Sequence, residues 1–141
     1  MKRSYPPSRS VVDAAGQRWR MCAGVAILNS AGNLLVGERL KIPGAWNCPQ
    51  GGVDEGETVG SAAEREVYEE VGLRAGVHIR AIAEMTEEAV RYQAGGWLKK
   101  EGYAGQQLHW VLFRCTHAGG DADPSAMVDL SGLGGEAAEF N

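Results

Sequence analysis

Acidic residues concentrate in one stretch of the sequence, PQGGVDEGETVGSAAEREVYEEVGL, which runs over residues 49–73. On a helix with about 3.6 residues per turn, Glu66, Glu69 and Glu70 would share one face. Like charges at this spacing destabilise a helix by about 0.2–0.5 kcal/mol per pair. Arg65 can pair with Glu69, whereas no lysine relieves the repulsion between Glu66 and Glu70. Two interpretations stay open: a solvated acidic face, or a site for Mg²⁺, which takes oxygen ligands and often bridges to substrate phosphates.

The acidic stretch needs a helix to position it, and its ends carry the signals for one. Thr58 can cap the start, and Gly72 is a natural stop because glycine readily adopts the left-handed conformation found after helix ends. Ala62 and Ala63 are strong helix formers. We therefore predict a helix between Thr58 and Gly72 that carries the three glutamates.

Strand patterns flank this helix on both sides. The predicted strands are MCAGVAILN with LLVGERL as its partner, VHIRAIAEMTEE from Val77, and LHWVLFRCT from Leu108. KIPGAWNCPQGG and the glycine-rich RYQAGGWLKKEGYAGQ are predicted as loops, because proline and glycine interrupt them. Strands mixed with one strong helix favour an α/β or α+β domain with a mixed sheet.

The composition fits one globular domain inside the cell. The chain has 141 residues, which suits a single domain, and 44% of them are hydrophobic, which is enough for one core. Its 14 basic and 18 acidic residues give a net charge of −4, which argues against nucleic-acid binding driven by overall charge, and we expect no DNA partner. Three cysteines without a C-x-x-C pair favour a reduced setting, so we expect a cytoplasmic protein.

The apolar segments and the N-terminal segment add two expectations. No apolar run is long enough to span a bilayer, so we expect no membrane partner. Residues 1–18 are basic with proline and serine, and we predict a flexible lead-in, with a weak organelle-targeting segment as the alternative. The sequence carries no signal for the oligomeric state.

The spacing of the acidic stretch has a known counterpart. From Gly51 the chain reads G-x5-E-x7-R-E-V-x-E-E-x-G-L, and this resembles the signature of the Nudix hydrolases at every fixed position. The resemblance implies a Nudix fold, in which a mixed β-sheet is sandwiched between helices. It also implies hydrolysis of a nucleoside diphosphate linked to another group.

Other stretches are similar to one branch of that family. RWRMCAGVAILN, VGERLKIPGAWNCPQGG, GQQLHWVLF and EAAEF resemble plant-type diadenosine tetraphosphate hydrolases and bacterial RNA pyrophosphohydrolases. Met21 and Cys22 depart from a Pro-Asn pair of that branch, and Leu108 and His109 depart from a Gln and a Lys. The branch also continues past the position of Asn141, so we expect a Nudix domain over 19–141 that lacks the last strand and helix.

The resemblance implies roles for the acidic residues and one arginine. The implied metal ligands, for Mg²⁺ with Mn²⁺ as a possible substitute, are the carbonyl of Gly51 and the carboxylates of Glu66, Glu69 and Glu70. The implied catalytic residues are Glu69 and Glu70, Arg65, which would hold the glutamates in place, and Glu139. Glu139 matches a late glutamate near the metals, and its alternative is a disordered chain end.

Three further residues are implied to bind the substrate. Arg39 matches a phosphate-contacting arginine, with an exposed strand end as the alternative, and Arg20 is expected to act similarly. Tyr92 is expected to stack on a nucleobase, as aromatic side chains commonly do, with a packed loop tyrosine as the alternative.

Together these residues predict a Mg²⁺-dependent pyrophosphohydrolase. Its expected substrates are dinucleoside polyphosphates such as diadenosine tetraphosphate, or the 5′ triphosphate end of RNA. One alternative is a Nudix enzyme for another nucleoside diphosphate derivative, such as a nucleotide sugar or a dinucleotide cofactor. The other alternative is a catalytically inactive nucleotide-binding module.

Overall fold

The computed structural model describes residues 7–85, 89–93, 95–116, 128–132 and 139–140. The helices and strands of this part of the chain are, in order, β1 (Ser10–Val12), β2 (Arg18–Leu28), β3 (Gly37–Glu38), β4 (Trp46–Asn47), β5 (Gln50–Gly52), α1 (Val59–Val71), β6 (Ile79–Glu84), β7 (Val90–Gln93), α2 (Trp97–Lys100) and β8 (Gly105–Cys115).

The two long strands β2 and β8 lie parallel at the centre of a six-stranded sheet. Their register begins with Trp19 beside Gly105. Alternate residues of β2 between Met21 and Ile27 are buried with Val111 and Phe113 of β8. This pattern follows because successive side chains of a strand point to opposite faces, so one face of both strands forms the core.

Shorter strands complete the sheet in the antiparallel direction. β1 and β5 pair with β2, while β6 and β7 pair with β8. β3 and β4 form a separate two-stranded sheet. The predicted mixed sheet in an α+β domain is therefore confirmed. In the described part of the chain α1 is the long helix, and it packs on β2, β5 and β8.

Local signals fix both ends of α1. The Thr58 side chain accepts a hydrogen bond from the Ser61 backbone N–H at 3.0 Å, and the Ser61 hydroxyl accepts one from the Thr58 N–H at 2.9 Å. Gly72 ends the helix in the left-handed conformation at φ 75°, and its N–H donates to the Tyr68 carbonyl. The predicted start and stop are thus confirmed.

The face of α1 that carries the glutamates is not solvated. Glu66, Glu69 and Glu70 are only 9%, 3% and 4% exposed. The interpretation of a solvated acidic face is therefore wrong, because the helix turns this face towards the sheet rather than towards water. Burial of three carboxylates is costly without a cation or a hydrogen-bond donor.

Three expectations about the other segments need correction. Residues 10–12, inside the predicted flexible lead-in 1–18, form β1, because the Asp13 carboxylate accepts from the Ala15 and Gln17 N–H groups and turns the chain back onto β2. The predicted loop after Arg91 contains part of β7 and all of α2. LLVGERL pairs with β2 only at an isolated bridge between Leu34 and Leu28.

Two further expectations concern the chain as a whole. None of the helices found among the described residues is long and apolar enough to cross a membrane. The expected absence of a last strand and helix concerns the chain after Phe140, which lies outside the described residues.

Candidate active site

One cleft of about 700 Å³ opens beside β5 and α1 and reaches the last described residues. It brings together seven of the nine residues expected to act on a substrate or a metal: Arg20, Arg39, Gly51, Arg65, Glu66, Glu70 and Glu139. Glu69 and Tyr92 are the two that do not line it. The cleft thus combines carboxylates with three guanidinium groups.

The close approach of β5 and α1 depends on Gly51. A Cβ atom at Gly51 would overlap the carboxyl group of Glu66. A side chain at this position would therefore displace the Glu66 carboxylate from its place in the cleft. The approach places the Gly51 backbone and the Glu66 carboxylate at the same point of the cleft.

Arg65 connects the glutamates to the loop before α1. Its Nε and Nη2 donate to the two carboxylate oxygens of Glu57 at 2.8 and 2.9 Å, and Nη2 also donates to the Gly52 carbonyl at 2.8 Å. Its Nη1 donates to Glu66 at 2.8 Å and to Glu69 at 3.2 Å. Glu69 is thus held behind the cleft by Arg65.

The hydrogen bonds between Arg65 and Glu57 shift the pKa values of both side chains. The hydrogen bond to Glu57 and the nearby Glu66 carboxylate raise the pKa of Arg65, while burial opposes them. Burial works to raise the pKa of Glu57, but the hydrogen bonds from Arg65 and from the Asp54 N–H outweigh it, and its pKa is lowered. Both groups are therefore charged at neutral pH.

Glu70 and Glu139 meet inside the cleft. Burial raises the pKa of Glu70 to about 10, and the charges of Glu139 and Glu66, together with a hydrogen bond to Glu139, add to this effect. The Gln50 N–H donates to Glu70 at 3.2 Å and opposes the shift. Glu70 therefore keeps its proton at neutral pH, because a second buried negative charge beside Glu139 and Glu66 is unfavourable.

The chain end that carries Glu139 is fixed by its own contacts. The Leu40 N–H donates to the Glu139 carbonyl at 3.0 Å, and Phe140 bridges to Arg39 in the antiparallel direction. The Phe140 ring is 4% exposed, and a Cβ atom at Gly37 would contact it closely. The alternative of a disordered chain end is therefore wrong for Glu139.

The donor set of the cleft fits a hard divalent cation. Carboxylate and carbonyl oxygens are what Mg²⁺ prefers, and the raised pKa of Glu70 shows that this part of the cleft disfavours a further negative charge. In the residues that the structure describes, no three acidic, histidine or cysteine side chains converge on one point. Glu66 and Glu69 instead each accept a hydrogen bond from Arg65 Nη1 through one carboxylate oxygen.

Arg20 is anchored on the floor of the cleft. Its Nε donates to the Ser8 hydroxyl at 2.9 Å, and its Nη1 donates to Gln106 Oε1 at 2.6 Å. Cys22, at a position where the related branch has another residue, also donates to Gln106 Oε1 at 3.0 Å, and burial raises the pKa of its thiol to about 11. Cys22 is therefore a neutral thiol that helps to fix Gln106.

Tyr92, which we expected to stack on a nucleobase, does not line the cleft. Tyr92 lies on β7, where its hydroxyl accepts a hydrogen bond from Gln106 Nε2 at 2.5 Å, and it is not part of the cleft lining. Trp97 and Tyr103 line the cleft instead. The sequence did not single them out, because their place in the cleft depends on contacts with residues distant in the sequence, such as that of Trp97 with Arg20.

The chain matches a family model described as NUDIX domain over residues 18–126. It belongs to the NUDIX domain family. The resemblance found in the sequence is thus confirmed. A relative named RNA pyrophosphohydrolase from Brucella ovis is 31% identical over 149 residues, with 100% of this chain and 81% of the relative covered. Another of that name, from Erythrobacter litoralis, is 42% identical over 115 residues, with 77% and 69% covered.

Solved structures agree on the fold. A C. elegans Ap4A hydrolase in a binary complex superposes with a TM-score of 0.57 at 22% identity, covering 86% of this chain and 75% of that one. The E. coli dihydroneopterin triphosphate pyrophosphohydrolase gives a TM-score of 0.53 at 20% identity, covering 87% and 79%. At these identities the likeness concerns the fold alone.

Proposed function

We propose that this Nudix protein is a Mg²⁺-dependent pyrophosphohydrolase that cleaves a phosphoanhydride bond at the 5′ triphosphate end of RNA or in a dinucleoside polyphosphate such as diadenosine tetraphosphate. The observation that carries the proposal is the cleft in which Glu66, Glu70 and Glu139 face Arg20 and Arg39. The names of the Brucella and Erythrobacter relatives support the RNA substrate.

The proposed ion ligands are the Gly51 carbonyl and the carboxylates of Glu66, Glu69 and Glu70, with Mn²⁺ as a possible substitute for Mg²⁺. A bound ion of this kind neutralises the polyphosphate and lowers the pKa of a coordinated water. Arg65 would position Glu66 and Glu69 through the hydrogen bonds that it already makes to both.

The remaining steps fall to side chains of the cleft. Arg20 and Arg39 would hold the phosphates and offset their negative charge. Glu139 would accept the proton of the attacking water as the water oxygen bonds to phosphorus. The phosphorus–oxygen bond to the leaving phosphate then breaks, and the leaving group departs with its electron pair.

A second candidate substrate is another nucleoside diphosphate derivative, such as a nucleotide sugar or a dinucleotide cofactor. Cys22 favours it, because this thiol lines the cleft at a position where the RNA and diadenosine branch has a different side chain. A catalytically inactive binding module is less well supported, since Glu139 reaches Glu70. We place the activity in the cytoplasm because the three cysteines, all in the described part of the chain, form no disulfide.

Product analysis tests the proposal. The parent protein and Glu70→Gln are incubated with Mg²⁺ and either 5′-triphosphorylated RNA or diadenosine tetraphosphate, and products are separated by ion-exchange chromatography. We expect 5′-monophosphorylated RNA, or ATP with AMP, from the parent alone. Hydrolysis of only a nucleotide sugar or a dinucleotide would establish the second candidate. A folded parent protein that hydrolyses none of these substrates would favour the inactive binding module.

A further inference from the structure

Besides its charged groups, the cleft is lined by two aromatic side chains. Trp97 and Tyr103, at the start of α2 and just after it, line the side of the cleft that Arg20 also lines. Trp97 is 56% exposed, although tryptophan is usually buried to a large extent. An exposed indole on a phosphate-binding cleft calls for an explanation beyond packing.

The short helix that carries Trp97 is anchored by the neighbouring residues. Leu98, the next residue, is 3% exposed and anchors α2 to the protein. Gly96 precedes the helix at φ 63°, a conformation that glycine adopts without strain. The anchored Leu98 and the turn at Gly96 together leave the Trp97 ring on the outer side of α2, at the cleft.

Two arginines cover parts of these aromatic rings. The Arg20 guanidinium lies 5.1 Å from the Trp97 ring centre, and the Arg18 guanidinium lies 4.9 Å from that of Tyr103. Arg20 itself is held by Ser8 and Gln106. The same guanidinium therefore faces the phosphate region and supports the indole from one side, which leaves the exposed part of the ring for a flat ligand group.

We propose that Trp97 is the surface on which the nucleobase of the substrate stacks, with Tyr103 beside it, and that Tyr92 has no such role. Stacking on an aromatic ring accepts every base, because each base has a π-face, and an arginine in the same stack adds a cation–π contribution. The inference rests on the proposed function only in that the ligand is a nucleotide. It divides the cleft into a phosphate end at Arg20 and a base end at Trp97.

Equilibrium binding of AMP and ribose 5-phosphate tests this assignment. Neither compound has a phosphoanhydride bond, so titration calorimetry in Mg²⁺ measures binding whether or not the protein is a hydrolase. Loss of a base-stacking side chain weakens binding because the contact with the base is lost. For Trp97→Ala we therefore expect AMP affinity to fall on the order of 10-fold with ribose 5-phosphate affinity unchanged, while Trp97→Phe stays near the parent.

Trp46→Ala is the matched control, because Trp46 is 60% exposed but does not line the cleft, and we expect no change in AMP affinity. Thermal unfolding of each variant checks that the fold persists. An unchanged AMP affinity in Trp97→Ala would overturn the proposal, and so would a parent that binds AMP no better than ribose 5-phosphate.

Equal losses for AMP and ribose 5-phosphate would also overturn it, since they would mean that Trp97 acts only by holding Arg20. Failure of the hydrolase proposal has a different signature: no turnover of RNA or diadenosine tetraphosphate by the parent, with the contrast between AMP and ribose 5-phosphate still present.

Discussion

At the scale of single residues, Arg65 decides how the carboxylates are arranged. Its guanidinium makes two parallel hydrogen bonds to Glu57 and reaches Glu66 and Glu69 with the remaining nitrogen. A lysine has a single ammonium and cannot reproduce this geometry. Arg65 therefore sets the positions of two proposed ion ligands without lying at the reacting phosphorus in our account.

Replacement of Arg65 by lysine should lower kcat, because loss of a partner that orients metal ligands typically costs about 10–100-fold in affinity or activity. The measurement is steady-state hydrolysis of 5′-triphosphorylated RNA across a Mg²⁺ titration. Arg80→Ala is the control, since Arg80 is exposed on β6 and should change nothing. Wild-type kinetics in Arg65→Lys would contradict this role.

The buried Glu70 should make metal-free stability depend on pH. Its pKa is raised to about 10 in the folded protein, whereas an unfolded glutamate has a pKa of about 4.3. The unfolded state therefore loses this proton first, and the free energy of unfolding should fall as pH rises between these two values. Glu70→Gln has no such proton to lose.

Urea unfolding in EDTA checks this point. We expect Glu70→Gln to match the parent near pH 4 and to become the more stable of the two by pH 9. A difference between the two proteins that stays constant over this range would show that Glu70 is not the group responsible. Added Mg²⁺ should stabilise the parent more than Glu70→Gln, because an ion would take the place of the Glu70 proton.

At the scale of elements, α1 carries the glutamates of the site, and we expect its stability to depend on the glycine at its C-terminal end. Gly72 has a positive φ, and a Cβ atom there would lie 2.7 Å from that of Asp129. Gly76 has a similar φ of 83° but no neighbour within 4 Å of such an atom. A comparison of substitutions at Gly72 and Gly76 therefore separates the cost of backbone strain from the cost of a steric contact.

We expect Gly76→Ala to lower the free energy of unfolding by about 1–2 kcal/mol, the cost of a side chain in the left-handed region. Gly72→Ala should cost clearly more, because Asp129 must also move. Chemical denaturation of both variants in the same buffer gives the comparison. Equal losses would mean that residues 128–132 do not pack on the end of α1 as the structure has them.

The elements also show what the sequence could predict. Both ends of α1 were predictable because Thr58 and Gly72 act on neighbouring residues. β7 and α2 were not, because each is only four residues long and is held by contacts that are distant in the sequence. Trp97 was missed for the same reason: its place in the cleft depends on Arg20 and on the burial of Leu98. The meeting of Glu139 with Glu70 could be expected only from the family resemblance.

At the scale of the whole molecule, the C-terminal residues connect the small β3–β4 sheet to the cleft. Phe140 is buried against Gly37 of β3, and the preceding residue, Glu139, contacts Glu70. The residue that packs on β3, Phe140, is thus adjacent in sequence to Glu139, the residue proposed to act in the reaction. The two effects can be separated by changing each residue alone.

Phe140→Ala should lower stability by about 3–5 kcal/mol, as expected for a buried phenylalanine, and should lower activity as well because Glu139 loses its anchor. Glu139→Gln should lower activity while it leaves packing intact. Parallel measurements of urea unfolding and RNA hydrolysis distinguish the two. A Phe140→Ala protein with full activity would contradict the link between this anchor and the site.

The most direct test of the central claim is the rate of phosphoanhydride hydrolysis on 5′-triphosphorylated RNA and diadenosine tetraphosphate, measured with Mg²⁺ and with EDTA. The variants are Glu70→Gln and, as a control, Glu55→Gln, whose side chain is exposed and outside the cleft lining. We predict Mg²⁺-dependent turnover in the parent and in Glu55→Gln, and a loss of on the order of 100-fold in Glu70→Gln. Turnover that persists in EDTA, or that is equal in all three proteins, would contradict the account.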